Sequence, residues 1–243
     1  MKYFLFLSVF FIYGFLVFSQ DRITFPAADK LTVTADFYEN ENVKNAPYIL
    51  LFHQAGYSRG EYKETAQKMV KLGFNCLAVD LRSGEEVNFI RNETAAEAQK
   101  KNLPQNYIDA KNDILGAIEY AYNKSQKQVI LFGSSYSASL VLVLAKNNQK
   151  VSAVVAFSPG EYFDRVLNVQ SSLKGYDKPV FAACSKPEFT YLEELMVNVE
   201  KNKLLFQPMT GNGEHGSKAL WKANKNHNEY WMQLLGFLKK YAN

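Results

Sequence analysis

The residues best suited to chemistry in this 243-residue chain form a short run of small side chains around Ser135. The run, Gly133-Ser134-Ser135-Tyr136-Ser137, follows four strand-forming residues and precedes a helical pattern. A turn this sharp strains the backbone of its central residue and points that side chain away from the sheet, so its flanks must be small. Ser135 is therefore a candidate nucleophile. The residues leave open a second interpretation, in which Ser134 or Ser135 only caps the helix.

A serine hydroxyl is a poor nucleophile at neutral pH unless a base accepts its proton and a carboxylate orients that base. The three histidines of the chain, His53, His215 and His227, are the candidate bases. His53 precedes the Ser135 turn, and His227 begins the last predicted helix. His215 lies in a glycine-rich loop after a predicted late strand, and such a loop can bend a side chain back over a sheet.

Alternating strands and helices are predicted to position these side chains. Residues 22–26 and 31–38 alternate apolar and polar positions, which predicts an antiparallel ribbon with one wet face. A continuous apolar run, typical of a strand covered on both faces, lies at 48–52. Further strands are predicted at 74–79, 129–132, 151–157, 179–184 and 203–208. Helical spacing is present at 61–72, 94–101 and 109–123, after the Ser135 turn, and from 227 onward. This alternation predicts parallel strands with right-handed crossovers.

The stretch 128–145 resembles the nucleophile elbow of the α/β-hydrolase family, where G-x-S-x-G joins a strand to a helix. The one departure is Ser137 in place of the second glycine. Its side chain is small enough for the helix to approach the strand. The resemblance covers the chain after its leader and implies a fold with a mostly parallel central sheet, helices on both faces, an N-terminal antiparallel ribbon and a minimal lid. Small esterases and dienelactone-hydrolase-like enzymes are the most similar members.

The resemblance also implies roles for individual residues. The family carries its nucleophile, acid and base in that order along the chain, which makes His215 the base. The acid is expected about four residues beyond the end of the strand at 179–184, where the matching residue is Glu188. Glu161 and Asp164, on the loop after the preceding strand, stay open as alternative acids. The side chain of His53 is expected to brace its loop in the core.

An oxyanion site is implied by the same comparison. The backbone N–H of Tyr136, directly after the nucleophile, is one expected donor. The turn that follows residues 48–52 offers the second, which the resemblance places at Ala55, with Gln54 as the alternative. Asp80, at the end of the strand 74–79, competes for a catalytic role. We expect it instead to pair with Arg82 or to cap its loop.

The site is expected to be open or lightly covered. Only some twenty residues separate Gly160 from Pro179, which is too few for a large lid domain. Four apolar residues of this interval are expected to form part of a wall beside the site: Tyr162, Phe163, Val166 and Leu167.

The first residues predict export. A basic start at Lys2 precedes an apolar block, residues 3–18, that is shorter than the roughly 20 residues of a membrane span. We expect residues 1–19 to be a signal peptide, with cleavage after Ser19 or Gln20, and residues 20–243 to form one domain without stable membrane insertion. An uncleaved N-terminal anchor is the alternative. The resemblance places Cys76 and Cys184 on strands that are not neighbours, so both are expected to be buried thiols.

Taken together, these features predict an exported serine hydrolase that cleaves a carboxylic ester of a small acyl substrate through an acyl-enzyme. No metal cluster or nucleotide-binding fingerprint is visible in the sequence, so no cofactor is expected. The formal net charge of +4 is small and its charges are scattered, which argues against nucleic acid as a partner. Two alternatives stay open: a non-catalytic binding protein of the same fold, and an acyl transferase or peptidase with the same triad. The sequence does not indicate an oligomeric state.

Overall fold

The computed structural model describes residues 20–242, so the predicted signal peptide lies outside the described residues. Eight strands form the main sheet: β1 Gln20–Pro26, β2 Thr32–Tyr38, β3 Tyr48–Phe52, β4 Asn75–Val79, β7 Val129–Ser134, β8 Val151–Phe157, β9 Val180–Ala183 and β10 Lys203–Phe206. Two further strands, β5 Glu86–Val87 and β6 Ile90–Arg91, form a separate hairpin. Across the main sheet the strand order is β1-β2-β4-β3-β7-β8-β9-β10.

The pairing within the main sheet confirms a mostly parallel sheet with an N-terminal antiparallel ribbon. β1 pairs antiparallel with β2, and β2 pairs antiparallel with β4. The strands from β4 to β10 in the sheet order are parallel to one another. Phe52 at the end of β3 is in register with Val79 and with Gly133. The segments that begin at residues 53, 80 and 135 therefore meet at one edge of the sheet.

Helices cover both faces of this sheet. They are α1 Lys63–Lys71, α2 Glu93–Lys100, α3 Lys111–Ser125, α4 Tyr136–Ala145, α5 Val169–Ser172, α6 Phe189–Leu195 and α7 His227–Leu238. Apolar residues of α3, α4, α5 and α6 belong to one core cluster, and those of α1 and α7 belong to the other. Within residues 20–242, no helix is both long enough and apolar enough to span a membrane.

The structure adds elements that sequence periodicity did not predict. The predicted helix at 61–72 is a 3-10 turn, Arg59–Tyr62, followed by α1. The β5–β6 hairpin was missed because its strands are two residues long, and its turn residues Asn88 and Phe89 both have positive φ. Helix α6 was also missed. Cys76 and Cys184 are buried free thiols on non-neighbouring segments, as expected.

Two buried arginines tie the N-terminal ribbon to the loops at the edge of the sheet. Arg59 lies 3.0 Å from Asp36 and 2.5 Å from Asp80. Asp80 also accepts the backbone N–H groups of Arg59 and Glu93. The expected pairing of Asp80 with Arg82 is therefore wrong, although Asp80 does brace its loop. The strand register brings Asp80 next to the first residues of β2. The 3-10 turn then places the Arg59 guanidinium between the carboxylates of Asp36 and Asp80.

Arg82 belongs to the second of these networks. Its guanidinium contacts the buried Asp113 at 2.7 Å and the half-buried Asp29 at 2.7 Å. Burial raises the pKa of Asp113, and hydrogen bonds from Arg82 only partly oppose that rise, so the pKa is about 6. The network joins the β1–β2 turn, the loop after β4 and helix α3, which are far apart in the sequence.

Removal of one carboxylate from this network should destabilise the protein. In Asp113→Asn the buried Arg82 keeps only Asp29 as a charged partner, and an under-compensated buried charge costs about 3 kcal/mol of unfolding free energy. Urea denaturation monitored by circular dichroism measures this loss. The matched control is Glu119→Gln, which breaks the exposed pair with Lys150 and should cost less than about 1 kcal/mol. Equal effects of the two substitutions would contradict the assigned role of Asp113.

Candidate active site

Ser135 occupies a strained single-residue turn between β7 and α4. Its backbone angles are φ 58° and ψ −124°, in a region that costs a non-glycine residue about 1–3 kcal/mol. Gly133 is required here, because a Cβ at that position would lie 2.5 Å from the Cα of Ala138. The close approach of helix to strand leaves no room for a longer turn, and the Ser135 hydroxyl is displayed at the edge of the sheet.

Ser137, the departure from the glycine pattern, has a structural role of its own. Its Oγ accepts the Ser134 N–H at 2.9 Å and donates to the Phe52 carbonyl at 2.7 Å. The side chain is fully buried. A serine at this position therefore both fits and joins the Ser135 turn to the end of β3, where the next loop of the site begins.

His215 and Glu188 meet Ser135 from two further loops. The Nε2 of His215 lies 2.9 Å from the Ser135 Oγ, and its Nδ1 contacts the Glu188 Oε1. His215 immediately precedes a 3-10 helix, Gly216–Leu220, and Gly216 has a positive φ of 70°. That conformation, favoured by glycine, turns the chain so that the imidazole points back over the sheet. The structure thus brings together the three residues that the sequence indicated as nucleophile, base and acid.

Glu188 is held as a carboxylate. Its Oε2 accepts the Ser185 N–H at 3.0 Å, the Ser185 hydroxyl at 2.7 Å and the Ser158 hydroxyl at 2.9 Å. Partial burial raises the pKa of Glu188, but hydrogen bonds from His215 and Ser185 outweigh that effect and lower the pKa to about 2. The side chain is therefore ionised at neutral pH, the state that orients an imidazole and stabilises its cation.

Neither of the alternative acids contacts His215. Glu161 accepts the backbone N–H groups of Val169 and Gln170, each at 2.8 Å, and so caps helix α5. Asp164 is exposed on the same loop and has a positive φ of 49°. Of the three carboxylates considered from the sequence, only Glu188 is hydrogen-bonded to the histidine.

Two backbone N–H groups face the same edge as Ser135. Tyr136 begins helix α4, so its N–H has no intrahelical acceptor. Among residues 20–242, neither this group nor the Ala55 N–H has a protein hydrogen-bond acceptor. The alternative donor Gln54 is wrong, because its N–H donates to the Glu61 Oε2 at 2.7 Å. Tyr136 and Ala55 remain as the pair suited to a developing oxyanion.

The two other histidines serve the scaffold. His53 is fully buried; its Nε2 accepts the Leu81 N–H at 2.8 Å and its Nδ1 lies 2.8 Å from the Gln54 carbonyl. Burial lowers the pKa of His53 to about 4. This confirms that its side chain braces the loop. The Nδ1 of His227, the first residue of α7, lies 2.7 Å from the Asn224 carbonyl.

Sequence reasoning missed Glu61, a fully buried carboxylate beneath the site. Its two oxygens accept the Gln54 N–H at 2.7 Å and the Ser217 hydroxyl at 2.5 Å. Burial raises the pKa of Glu61 above its usual value, and hydrogen bonds from Ser217, Gln54 and Ser134 oppose that rise only in part. The Ser217 N–H in turn donates to the Ser134 Oγ at 2.8 Å. Glu61 therefore connects the loop after β3, the Ser135 turn and the His215 loop.

Ser158 is a second missed residue. Its hydroxyl donates to Glu188 and accepts the Gly216 N–H at 2.9 Å, so it joins the acid to the histidine loop. No signal in the sequence distinguishes it from an ordinary strand-ending serine. Within the described part of the chain, no group of three or more His, Cys, Asp or Glu residues is arranged to hold a metal ion.

Comparison with known proteins agrees with this architecture. The model of the dienelactone hydrolase family matches residues 33–192, about two thirds of the chain. No curated protein matches the chain. The match to this model, which covers more than half of the chain, shows the family.

Solved structures show the same fold. An esterase from Pyrococcus furiosus superposes with a TM-score of 0.69 at 15% identity, over 98% of this chain and 96% of that one. A dienelactone hydrolase from Anabaena variabilis gives a TM-score of 0.69 at 15% identity, over 91% and 98%. An acylaminoacyl peptidase from Pyrococcus horikoshii gives 0.64 at 15% identity, over 93% of this chain and 42% of that one. The predicted α/β-hydrolase fold is confirmed.

The buried His53 should make stability depend on pH. Between pH 4 and 6.5 an unfolded histidine binds a proton that the folded one does not, so stability falls as the pH falls through this window. From pH 6.5 to 5 the wild type should lose roughly 2 kcal/mol more unfolding free energy than His53→Gln. Urea denaturation at each pH measures the difference, because the other groups titrate equally in both proteins. Parallel pH profiles would contradict the assignment.

Glu61→Gln should impair the Ser135 site at a modest cost in stability. Glutamine replaces one of the two acceptor oxygens with an N–H₂ group, which is a donor. The acceptor for either the Gln54 N–H or the Ser217 hydroxyl proton is therefore lost, at a cost of about 1–3 kcal/mol. We expect slower phosphonylation of Ser135 by a fluorophosphonate at a temperature where the variant is fully folded. Glu64→Gln, an exposed acid on the adjoining helix α1, is the control. Unchanged labelling in a folded Glu61→Gln would exclude a positioning role.

Proposed function

The chain belongs to the dienelactone hydrolase family and is a hydrolase that acts on ester bonds, and we propose that Ser135, His215 and Glu188 are its catalytic triad. The observation that carries this proposal is the continuous hydrogen-bonded chain from the Ser135 Oγ through the imidazole to the Glu188 carboxylate. Each member comes from a different loop at the same edge of the sheet. Backbone strain such as that of Ser135 concentrates at functional sites, which favours a catalytic role for this residue.

The geometry supports an acyl-enzyme mechanism. The Ser135 Oγ attacks the ester carbonyl carbon while the His215 Nε2 accepts its proton, and ionised Glu188 stabilises the resulting imidazolium. The carbonyl oxygen becomes an oxyanion and accepts the N–H groups of Tyr136 and Ala55. The C–O bond to the alcohol then breaks, and His215 returns the proton to the departing oxygen. A water molecule, deprotonated by His215, then attacks the acyl-serine. The bond from the acyl carbon to the Ser135 Oγ breaks, His215 returns the proton to that oxygen, and the carboxylic acid leaves.

We further propose that the protein is exported. The support is the sequence alone: a basic start at Lys2, an apolar block over residues 3–18, and small or modest-sized residues before the expected cleavage site. Intact-mass analysis of the protein recovered from its native cell would show loss of about 19–20 residues. A full-length mass would instead indicate an uncleaved anchor.

Substitutions in the proposed triad should abolish ester hydrolysis. Ser135→Ala and His215→Ala should each lower kcat for p-nitrophenyl acetate by on the order of 10⁴ or more, and Glu188→Gln by about 10⁴, with small effects on KM. A fluorophosphonate should label Ser135 in the wild type, with the adduct mapped by mass spectrometry. The control, Glu161→Gln, loses a helix cap and should keep normal kcat.

Two results would overturn the proposal. Folded wild-type protein that neither hydrolyses the ester nor reacts at Ser135 would favour the non-catalytic alternative. Loss of activity in Glu161→Gln but not in Glu188→Gln would assign the acid to the other loop. Faster turnover with an added alcohol, or cleavage of the matching anilide, would instead indicate a transferase or a peptidase that uses the same triad.

A further inference from the structure

A cleft of about 680 Å³ lies between two loops beside the Ser135 turn. One wall is formed by residues 105–108, which precede helix α3, and the other by residues of the loop after β8. Three of the four residues expected to form an apolar wall line it: Tyr162, Phe163 and Val166. The fourth, Leu167, packs against the core and is not among the residues that line the cleft.

Two tyrosines of the cleft wall contact residues that adjoin the proposed nucleophile and acid. Tyr162 lies on one side, where its hydroxyl donates to the carbonyl of Ser158, the residue whose own hydroxyl donates to Glu188. Tyr107 lies on the other side, with its ring stacked on Tyr136 at a centroid distance of 4.5 Å. Tyr136 is the residue directly after the nucleophile. A substituent of the ester that fills this cleft would therefore lie close to the ester carbonyl held at Ser135.

The aromatic walls are largely fixed before any ligand binds. The Tyr162 hydroxyl donates to the Ser158 carbonyl at 3.0 Å. Its ring lies so close to Gly160 that a Cβ there would be 2.9 Å from it. Gly160 is itself held by the Ser139 hydroxyl, which donates to its carbonyl at 2.7 Å and accepts its N–H at 2.8 Å. A rigid aromatic wall binds a flat apolar group at little entropic cost.

The charge of the lining selects against anions. Of the residues that line the cleft, only Asp164 carries a charge, and none is a lysine or an arginine. A carboxylate placed here would lose its hydration without gaining a cationic partner. By contrast, the groove on the other side of Tyr107 is lined by Arg82, Arg91 and three glutamates. The two sides of the site therefore differ in polarity.

We propose that the cleft between Tyr107 and Tyr162 binds an uncharged aromatic group of the substrate, so that the enzyme prefers neutral aromatic esters. This inference rests on the proposed ester hydrolysis at Ser135. The aromatic group belongs either to the acid or to the alcohol of the ester. The stacking surface of Tyr107, which is 40% exposed, is the principal contact.

The test compares three neutral esters whose leaving groups are unactivated alcohols. Ethyl acetate lacks a ring, ethyl benzoate carries it on the acid, and benzyl acetate carries it on the alcohol. We expect kcat/KM for one aromatic ester to exceed that for ethyl acetate at least 10-fold, which also identifies the half of the ester that enters the cleft. The analogue with a para-carboxylate on that ring should be at least 10-fold poorer, and Asp164→Asn should recover part of the loss.

Tyr107→Ala should lower the ratio of kcat/KM for the preferred aromatic ester to kcat/KM for ethyl acetate about 10–100-fold. Phe89→Ala, which removes an exposed ring on the β5–β6 hairpin outside the cleft, should change neither value. A wild type without preference for a ring, or a preference that survives in Tyr107→Ala, would overturn the inference while leaving ester hydrolysis intact.

A direct binding measurement separates this inference from the proposed function. Saturation-transfer NMR on folded Ser135→Ala should detect ethyl benzoate or benzyl acetate, and Tyr107→Ala introduced into that variant should weaken the signal. Binding without turnover by the wild type would support the cleft and overturn the hydrolysis. Turnover of ethyl acetate with no detectable aromatic binding would do the reverse.

Discussion

The approach of helix α4 to strand β7 at Gly133 is the constraint on which the site depends. With no side chain at this position, the helix backbone comes within contact distance of the strand, and only one residue is left to make the turn. That residue, Ser135, is held at φ 58° because the flanking strand and helix are both buried and cannot relax. Two consequences follow from one contact. The Ser135 hydroxyl projects from the edge of the sheet, and the Tyr136 N–H is left unpaired beside it.

Buried polar groups fix the loops around this turn. A loop at a sheet edge buries backbone N–H groups that apolar packing cannot satisfy, so each must find an acceptor. Glu61 supplies acceptors to the loop after β3 and to the histidine loop, and Ser158 joins the acid to that same loop. Ser137 performs this task between the turn and β3. The reactive residues are therefore positioned by hydrogen bonds among segments up to 156 residues apart in the sequence.

Chemistry and specificity are assigned to different parts of the chain. The nucleophile, acid, base and oxyanion donors follow the ends of β3, β7, β9 and β10, where strand register fixes them relative to one another. The aromatic cleft is built outside the sheet, from residues 105–108, which lead into the 3-10 helix Tyr107–Ala110, and from residues 162–166. Strand ends are rigid and suit a reaction that requires close geometry, whereas loops on the same scaffold can change without disturbing it. The charged groove is lined by other segments, among them the β5–β6 hairpin and the start of helix α2.

The sequence by itself determined the alternation of strands and helices, the elbow at Ser135 and the identity of His215, because periodicity, small residues and glycine-rich loops are local signals. It indicated Glu188 from its place after a strand but left Glu161 and Asp164 open, since all three follow strands in the same sheet. Only the tertiary structure showed that Glu161 caps a helix, that the Gln54 N–H is already bonded, and that Asp80 pairs with Arg59. These outcomes depend on which loops meet at the sheet edge. Strand order and register decide that, and no local pattern encodes the partner of a buried charge or of a buried N–H group.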